Sequence, residues 1–502
     1  MNTKKNCQFS LLRSFLWPIH AFELKKIVPM IVLFFLISFN YVVLRDVKDA
    51  LIFNELGTEL IPHLKFWGVT VCLILFPLIY IMLSNLFNRK TLFYLSIVSF
   101  LIYFIAYIFY LYPNREALKL DSFADILQNE LPQALSGIIV LVRHWTTAFF
   151  YILSELWGII VLPILFWGFA NDITSTSAAK RYYALFCFGG APAAFFAGLF
   201  LSYCGKVVPA SCPAGVDSFE MSLTYLITGV VLVGICIIGL YAWMNERMLS
   251  DPRLFDQKER NESEKKPQLS LIKSVTSLVR SKYILSLAAL VLCFCLCMKF
   301  FNIIWKNQLM MQFPDRMDFL VFIGSLSMCA GVLSFFMIIL VSSNLMRRSW
   351  NFATLLTPFI LLIIGFGFFS VVLCKDYEWL VMFSHNSLLY ATIIFGAILH
   401  ICSASVSSSL FKPTKEIAYI PLDRDLKVKG KAVIDVLVVF LGDTVASLLV
   451  QGLLVINGSI AAITPYVAGS FFLFLGIWIM AARSLNKQFT ALSAEKAESI
   501  VS

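Results

Sequence analysis

Charge is scarce in this chain. Only 14% of its 502 residues are Asp, Glu, Lys or Arg, whereas 59% are hydrophobic and the mean hydropathy is +0.83. Ordinary soluble domains carry about 25% charged residues, so composition alone excludes a soluble globule. Histidine is rarer still: five residues, scattered and without the paired spacing of metal ligands, suggest no metal site and no resident cofactor. The P-loop, HExxH and GxSxG patterns are missing, which argues against membrane enzymes of those types. Residues 1–26 hold Trp17, Pro18, His20 and Glu23 but no long apolar core and no small-residue cleavage site, so no cleavable signal peptide is expected. Nor do they form an Arg- and Ser-rich, acid-poor presequence, which points to a bacterial inner membrane rather than an organelle reached by import.

Cysteine is present but has little to do. Most of the twelve lie in or beside apolar runs, where they act as small hydrophobes. Cys293, Cys295 and Cys297 diverge around a helix axis and make a poor metal site. Cys204 and Cys212 bracket a Pro-containing loop and could bridge, a pairing the sequence leaves open because it does not show the Cα separation.

What the chain has in abundance is apolar run. Candidate spans fall near 27–44, 64–84, 91–112, 137–169, 182–203, 222–243, 283–304, 318–343, 352–374, 386–411, 433–456 and 461–481. Each approaches or exceeds the roughly 20 residues that cross a bilayer as a helix, so an all-α polytopic membrane protein with twelve spans is expected. The fourth run is longer than one crossing needs and is read as tilted or broken. The 47 phenylalanines and 18 tyrosines suit lipid-facing and interfacial surfaces. Of the 40 Lys and Arg residues, 29 fall in one alternating set of segments and nine in the other, which places both termini in the cytoplasm. The net charge of +10 thus reports topology and not nucleic acid, because the basic residues are spread over loops instead of forming a stripe.

One composition break divides the spans six and six: residues 244–282 are dense in charge and poor in aromatics. The expected organisation is a cytoplasmic N-terminus (1–26), a six-helix bundle (27–243), a charged cytoplasmic linker (244–282), a second six-helix bundle (283–481) and a cytoplasmic tail (482–502). Two six-span halves are the layout of major-facilitator transporters, whose substrate site lies near the midplane between them. FNYVVLR at 39–45 also faintly echoes FNIIWK at 301–306.

On that layout spans 1, 4, 7 and 10 line a central cavity, and the polar residues of the apolar runs gather there. They are Asn40, Arg45 and Lys48; Arg143, His144, Thr147, Ser154 and Glu155; Lys299, Asn302 and Lys306; and His400, Ser403, Ser405 and Ser407. Spans 2, 3, 6 and 9 read as nearly bare of charge. A charge at bilayer depth costs at least about 2.5–3.5 kcal/mol, so the clustering argues for a watery cleft. Arg45 and Lys48 are read either as a snorkelling pair with Asp46 and Asp49 as solvated partners, or with Arg143, Lys299 and Lys306 as a cationic lining for an anion. A polyphosphate needs several such donors to replace its hydration. Glu155 sits near the middle of its run with no opposite charge within a turn; it is a protonated acid, a partner for a cavity base, or a coupling group. Arg143 anchors the outer interface or heads an inward polar stripe with Thr147, Ser154 and Gly158. His400 reads as a bundle residue before a proton relay.

Certain stretches are too long and unusual to be accidental: SFLWPIHAFELKK at 14–26, FNYVVLRDVKD at 39–49, SELWG at 154–158, LFWGFANDITSTSAAKRYY at 165–183 and FKPTKEIAYIPLDRDLKVKGKAVID at 411–435. In this order they resemble the ATP/ADP translocase type of nucleotide transporters, found in obligate intracellular bacteria and plastids. The resemblance implies a major-facilitator-like fold, alternating access, and nucleotide exchange or import across an inner membrane. It places the family's binding lysine (LRDxKD) on Lys48 and its membrane glutamate (ELWG) on Glu155. Two positions depart from the family's exchangers. Asn302 stands where a glutamate precedes a Trp-Lys pair, this chain's Trp305 and Lys306, and LGDTVAS at 441–447 puts Asp443 in place of a lysine. Asp443 is expected either to join Glu155 in proton uptake or substrate accommodation, or merely to pair with a nearby base.

The expectation is therefore a carrier for nucleotides or nucleotide cofactors (ATP, ADP, other nucleoside triphosphates or NAD), by antiport or coupled to protons, with membrane lipid as its only other surroundings. A strict ATP/ADP exchanger is the near alternative. From other classes come a polytopic enzyme on a phosphorylated lipid precursor and a purely structural role, in which Lys48 and Glu155 would tolerate neutral replacement. The loops at 169–183 and 412–431 are candidate gates or inner docking strips, or topology signals with packing roles.

Overall fold

The computed structural model describes residues 23–130, 136–174, 182, 185–186, 188–213, 217–248, 281–342, 350–374, 385–419, 421–422, 430 and 433–501. Among them there is no strand, and 11 helices are long and apolar enough to cross a membrane. These are span 1 (Leu24–Ile52), span 3 (Arg89–Leu111), span 4 (Trp145–Ala170), span 5 (Gly190–Ala210), span 6 (Ser218–Arg247), span 7 (Lys282–Gln312), span 8 (Arg316–Ile339), span 9 (Trp350–Cys374), span 10 (Leu388–Ala418), span 11 (Val433–Asn457) and span 12 (Ile460–Leu492). The run expected as span 2 is also helical, built from Ile61–His63, Leu64–Thr70 and Val71–Leu86 in unbroken succession, the middle piece a wide π-type stretch.

Local chemistry sets several helix starts. Asp217 accepts from Phe219 N at 3.0 Å, Ser281 from Ile284 N at 3.4 Å and Asp315 from Met317 N at 2.9 Å, each satisfying an orphan donor of a first turn. Span 1 stops where Gly57 takes a left-handed φ of 84° and donates to Ile52 O. Span 4 is broken, as its length suggested: Ser136–Arg143 is one helix, His144 leaves helical geometry at φ −104°, ψ 45°, and Trp145 begins the next. Span 5 differs from the expected 182–203 and runs Gly190–Ala210, starting within the Gly189–Gly190 pair, with Gly189 as its N-cap, and tolerating Pro209 in its last turn. Spans 7 and 10 outrun their apolar stretches, because the helices continue through Lys306, Gln308, Lys412 and Lys415 where hydropathy falls.

Span 1 packs against spans 4, 5 and 6, span 5 packs most heavily on span 8, and span 7 is surrounded by spans 10, 11 and 12. Seams between spans 1–6 and spans 7–12 run along span 5 on span 8, span 1 on span 8, and the wide stretch of span 2 on span 11. The first is the tightest. A Cβ at Gly198 would lie 2.3 Å from the Gly324 carbonyl oxygen, so the two backbones touch, the small-residue packing that lets helices associate in lipid. Phenylalanine does more than face lipid: Phe104, Phe150, Phe166 and Phe186 are fully buried, and Phe93 stacks on Tyr241 with centroids 3.8 Å apart.

Most of the expected N-terminal segment (1–22) and linker (249–280) lie outside the described residues. Towards the other terminus, helix continues from span 12 to Val501. Cys204 is a free thiol, so the bridge to Cys212 is not made. The end of the bundle where span 1 begins is called the terminal end, the opposite one the far end.

Candidate functional site

Helical spacing puts Tyr41, Arg45, Lys48 and Glu55 along one stripe of the helix Leu24–Glu55, with Asp46 and Asp49 beside it. The expectation that these two acids are solvated fails: Asp46 and Asp49 are buried. Asp46 takes a 2.7 Å bond from Arg45 and 2.8 Å from Ser327 of span 8, and Arg45 itself reaches Ser327 at 3.0 Å. A snorkelling pair would have gone to headgroups; Arg45 is turned into the seam between spans 1 and 8.

Lys48 is turned into the bundle as well. Its ammonium lies 3.0 Å from Glu155 of span 4, 3.2 Å from Asp49, and 4.1 Å from the centre of the Tyr151 ring. Glu155 is thus no lone acid, since Lys65 of span 2 also approaches it at 3.6 Å. Asp49 binds Lys306 of span 7 at 2.6 Å. Lys299, two helical turns from Lys306, pairs with Asp443 of span 11 at 2.9 Å. One residue on, Thr444 meets Thr70 of span 2 at 3.4 Å, and Lys299 and Asp443 lie near enough to act on Lys65 through the low-dielectric interior.

Five spans therefore converge on one ionic network. It sets four lysines, Lys48, Lys65, Lys299 and Lys306, against three carboxylates, Asp49, Glu155 and Asp443, so basic groups outnumber acidic ones. Side-chain exposure rises from 3% at Lys48 to 17% at Lys65, Glu155 and Lys306, and to 25% and 32% at Lys299 and Asp443. Lysine is a compact point charge that exchanges partners readily, so a multiply charged phosphate chain can replace these carboxylates one at a time.

Six of the eight residues singled out from sequence lie in or beside this network: Arg45, Lys48, Glu155, Lys299, Lys306 and Asp443. Asn302 lies a turn from Lys306 but turns back on its own helix, donating to Met298 O at 2.7 Å. Arg143 is not brought there. The break at His144 takes it off the span 4 register, and it pairs with Asp121 at 3.1 Å and Asp125 at 2.6 Å on the helix Asp121–Glu130. The inward stripe begins below it, with Thr147 and Ser154 buried and Gly158 against the Tyr41 ring. In span 10, His400 stacks on Trp305 at 4.9 Å, while Ser405 bonds Ser334 and the Ala330 carbonyl of span 8, so these serines knit helices together.

Sequence reasoning missed Lys65, which stands at the first turn of its apolar run and reads as a flank; span 2 is not bare of charge. Of the loops 169–183 and 412–431, residues 175–181, 183, 420, 423–429 and 431 lie outside the described residues. In the described part, Lys415 pairs with Asp435 at 2.6 Å.

Comparison with known proteins gives a consistent result. The chain is 43% identical over 98% of its length to ADP,ATP carrier protein 1 of Chlamydia trachomatis, covering 94% of that protein. It is 39% identical over 94% of its length to the chloroplastic ADP,ATP carrier protein 1 of Arabidopsis thaliana, covering 75% of it. Among solved structures it shares the fold of a D-xylose-proton symporter (TM-score 0.56, 10% identity, 93% of this chain and 97% of that one) and of a bacterial homologue of the iron transporter ferroportin in an inward-facing state (TM-score 0.51, 11% identity, 95% and 100%). The TLC ATP/ADP transporter model matches residues 2–489, and this multi-pass membrane chain belongs to that family.

Proposed function

We propose that the chain carries nucleotides or nucleotide cofactors across a bacterial inner membrane by alternating access, with both termini in the cytoplasm and import from a host cytosol as its direction. The observation that carries this reading is Lys48, buried between Asp49 and Glu155 in a network where basic groups outnumber acidic ones. A buried ion pair adds little to stability by itself. Collecting four lysines and three carboxylates from five helices makes sense for a guest that brings negative charge. The phosphate chain takes the lysines, the carboxylates are released, and the inter-helix pairs Asp49–Lys306 and Lys299–Asp443 rearrange as the two six-span halves rock about the site.

Asp443 supports a carrier that is more than a strict ATP/ADP exchanger. Once phosphate takes Lys299, the Asp443 carboxylate is a partly exposed proton acceptor, so nucleotide and proton can travel together; NAD or another nucleotide is an alternative guest for the altered charge pattern. Uptake of labelled ATP, other ribonucleotides and NAD into cells expressing the chain, with and without a proton uncoupler, tests this. Uncoupler-sensitive uptake is expected. Uncoupler-insensitive ATP/ADP exchange would leave the nucleotide reading standing and defeat the proton coupling.

A further inference from the structure

Two turns beyond Lys48, at the far end of the bundle, Glu55 sits between two arginines from different halves of the molecule. Arg115, in the chain following span 3, stands 3.8 Å away and Arg316, at the start of span 8, 3.7 Å. Charge-assisted N–H···O bonds close to roughly 2.7–2.9 Å, so both pairs are loose, unlike Asp49–Lys306 at 2.6 Å. Glu55 Oε1 is buried and accepts no hydrogen bond, while Oε2 accepts from Thr147 at 2.5 Å.

The guanidinium groups are positioned by other contacts. Arg115 lies 4.1 Å from the centre of the Tyr112 ring, donates to the Tyr112 carbonyl at 3.0 Å, and faces Glu220 at 3.7 Å. Arg316 lies 5.0 Å from the Phe219 ring centre and reaches the Tyr112 hydroxyl at 3.4 Å. Two forks are thus fixed in place with carboxylates that do not fill them. They border a cavity of about 180 Å³ whose wall also holds Glu55, Lys119, His144 and Thr146. Lys119 is tied to Glu116 at 2.5 Å, and that hydrogen bond holds the Glu116 carboxyl below its ordinary value, so the pair adds no net charge.

We propose that this cavity is a second anion site, separate from the central network, in which Arg115 and Arg316 bind a phosphate group and Glu55 is the internal anion that the phosphate displaces. Arginine's planar fork matches phosphate bidentately, which a carboxylate at 3.7 Å does not exploit. Because Arg316 belongs to the second half and Glu55 to the first, displacement also undoes a tie between halves at this end. That the phosphate arrives on a nucleotide rests on the carrier reading; the anion site itself does not.

Equilibrium binding of labelled inorganic pyrophosphate to purified full-length Lys48→Gln protein weakens the central network, which keeps Lys65, Lys299 and Lys306, so far-end binding is read from the change that each second substitution makes. Saturable, salt-sensitive binding is expected, weakened by roughly tenfold or more on adding Arg115→Gln or Arg316→Gln and tightened on adding Glu55→Gln. No binding by monodisperse Lys48→Gln protein, or binding that Arg316→Gln and Glu55→Gln both leave unchanged, overturns the site. Should Lys48→Gln not fold, Glu55→Gln in the native chain decides: higher pyrophosphate affinity supports the site, unchanged or lower affinity overturns it. A chain that transports ATP but lacks far-end pyrophosphate binding loses this site and keeps the carrier reading. One that binds pyrophosphate there and transports no nucleotide keeps the site and loses that reading.

Discussion

Lys306 of span 7 donates to Asp49 of span 1 at 2.6 Å, and Asp49 accepts at the same time from its neighbour Lys48 at 3.2 Å. One carboxylate therefore joins span 1 to span 7 and orients the lysine that also meets Glu155.

Removing Asp49 leaves two buried ammonium groups short of a partner. Asp49→Asn is expected to destabilise the protein by about 3–5 kcal/mol, the usual cost of breaking a buried pair from one side. Asp49→Asn with Lys306→Gln should cost less than the two single changes added together, by about 0.5–3 kcal/mol. Thermal unfolding of the four proteins in detergent measures this, and strict additivity would show that the pair is not coupled.

The Tyr151 ring under Lys48 separates packing from charge. Tyr151→Phe keeps the π face and should leave nucleotide affinity near that of the native chain. Tyr151→Leu removes a cation–π contact of about 0.5–2 kcal/mol and should weaken affinity by roughly 2- to 30-fold. Substrate competition in proteoliposomes checks it; equal effects of the two changes would contradict the contact's role.

Lys299 and Asp443 form a pair whose polarity can be exchanged. Lys299→Asp and Asp443→Lys are each expected to lower transport by at least about tenfold, since each places like charges together in a partly buried site. Their combination should recover a substantial part. No recovery in the double variant would mean that these residues meet the substrate individually and not as a pair.

At the seam of spans 5 and 8, Gly198→Ala forces a backbone shift, because the new Cβ would sit 2.3 Å from a carbonyl oxygen that cannot swing away. A loss of about 1–3 kcal/mol and slowed transport are expected. Gly239, with nothing within 4 Å of an added Cβ, supplies the control: Gly239→Ala should change neither.

How far the sequence alone reaches depends on the background against which a charge stands. Lys48 and Glu155 are legible because an ionised group inside an apolar run is costly and so demands a reason. Lys65 is not, since at the edge of a run the same lysine looks like an ordinary flank. Of the two readings of Arg143, outer anchor or head of an inward stripe, the second extends helical periodicity through His144, where the chain leaves the helix. The register beyond that break is legible; the break's position is not. Glu55, Arg115 and Arg316 come from segments far apart in the chain and outside the expected spans, so nothing short of the tertiary structure brings them together. The spans themselves were readable throughout. Their ends were less so, because helices continue into polar sequence where hydropathy falls.

The central claim is that the lysines of spans 1, 2 and 7 hold a polyanionic guest that the protein then moves. Counterflow of labelled ATP into proteoliposomes containing only the native chain or Lys48→Gln with Lys306→Gln tests it most directly. Saturable uptake that unlabelled nucleotide competes away, lost in the double variant, is the predicted result. Uptake that survives loss of both lysines, or a native chain that moves no nucleotide at all, would contradict the account.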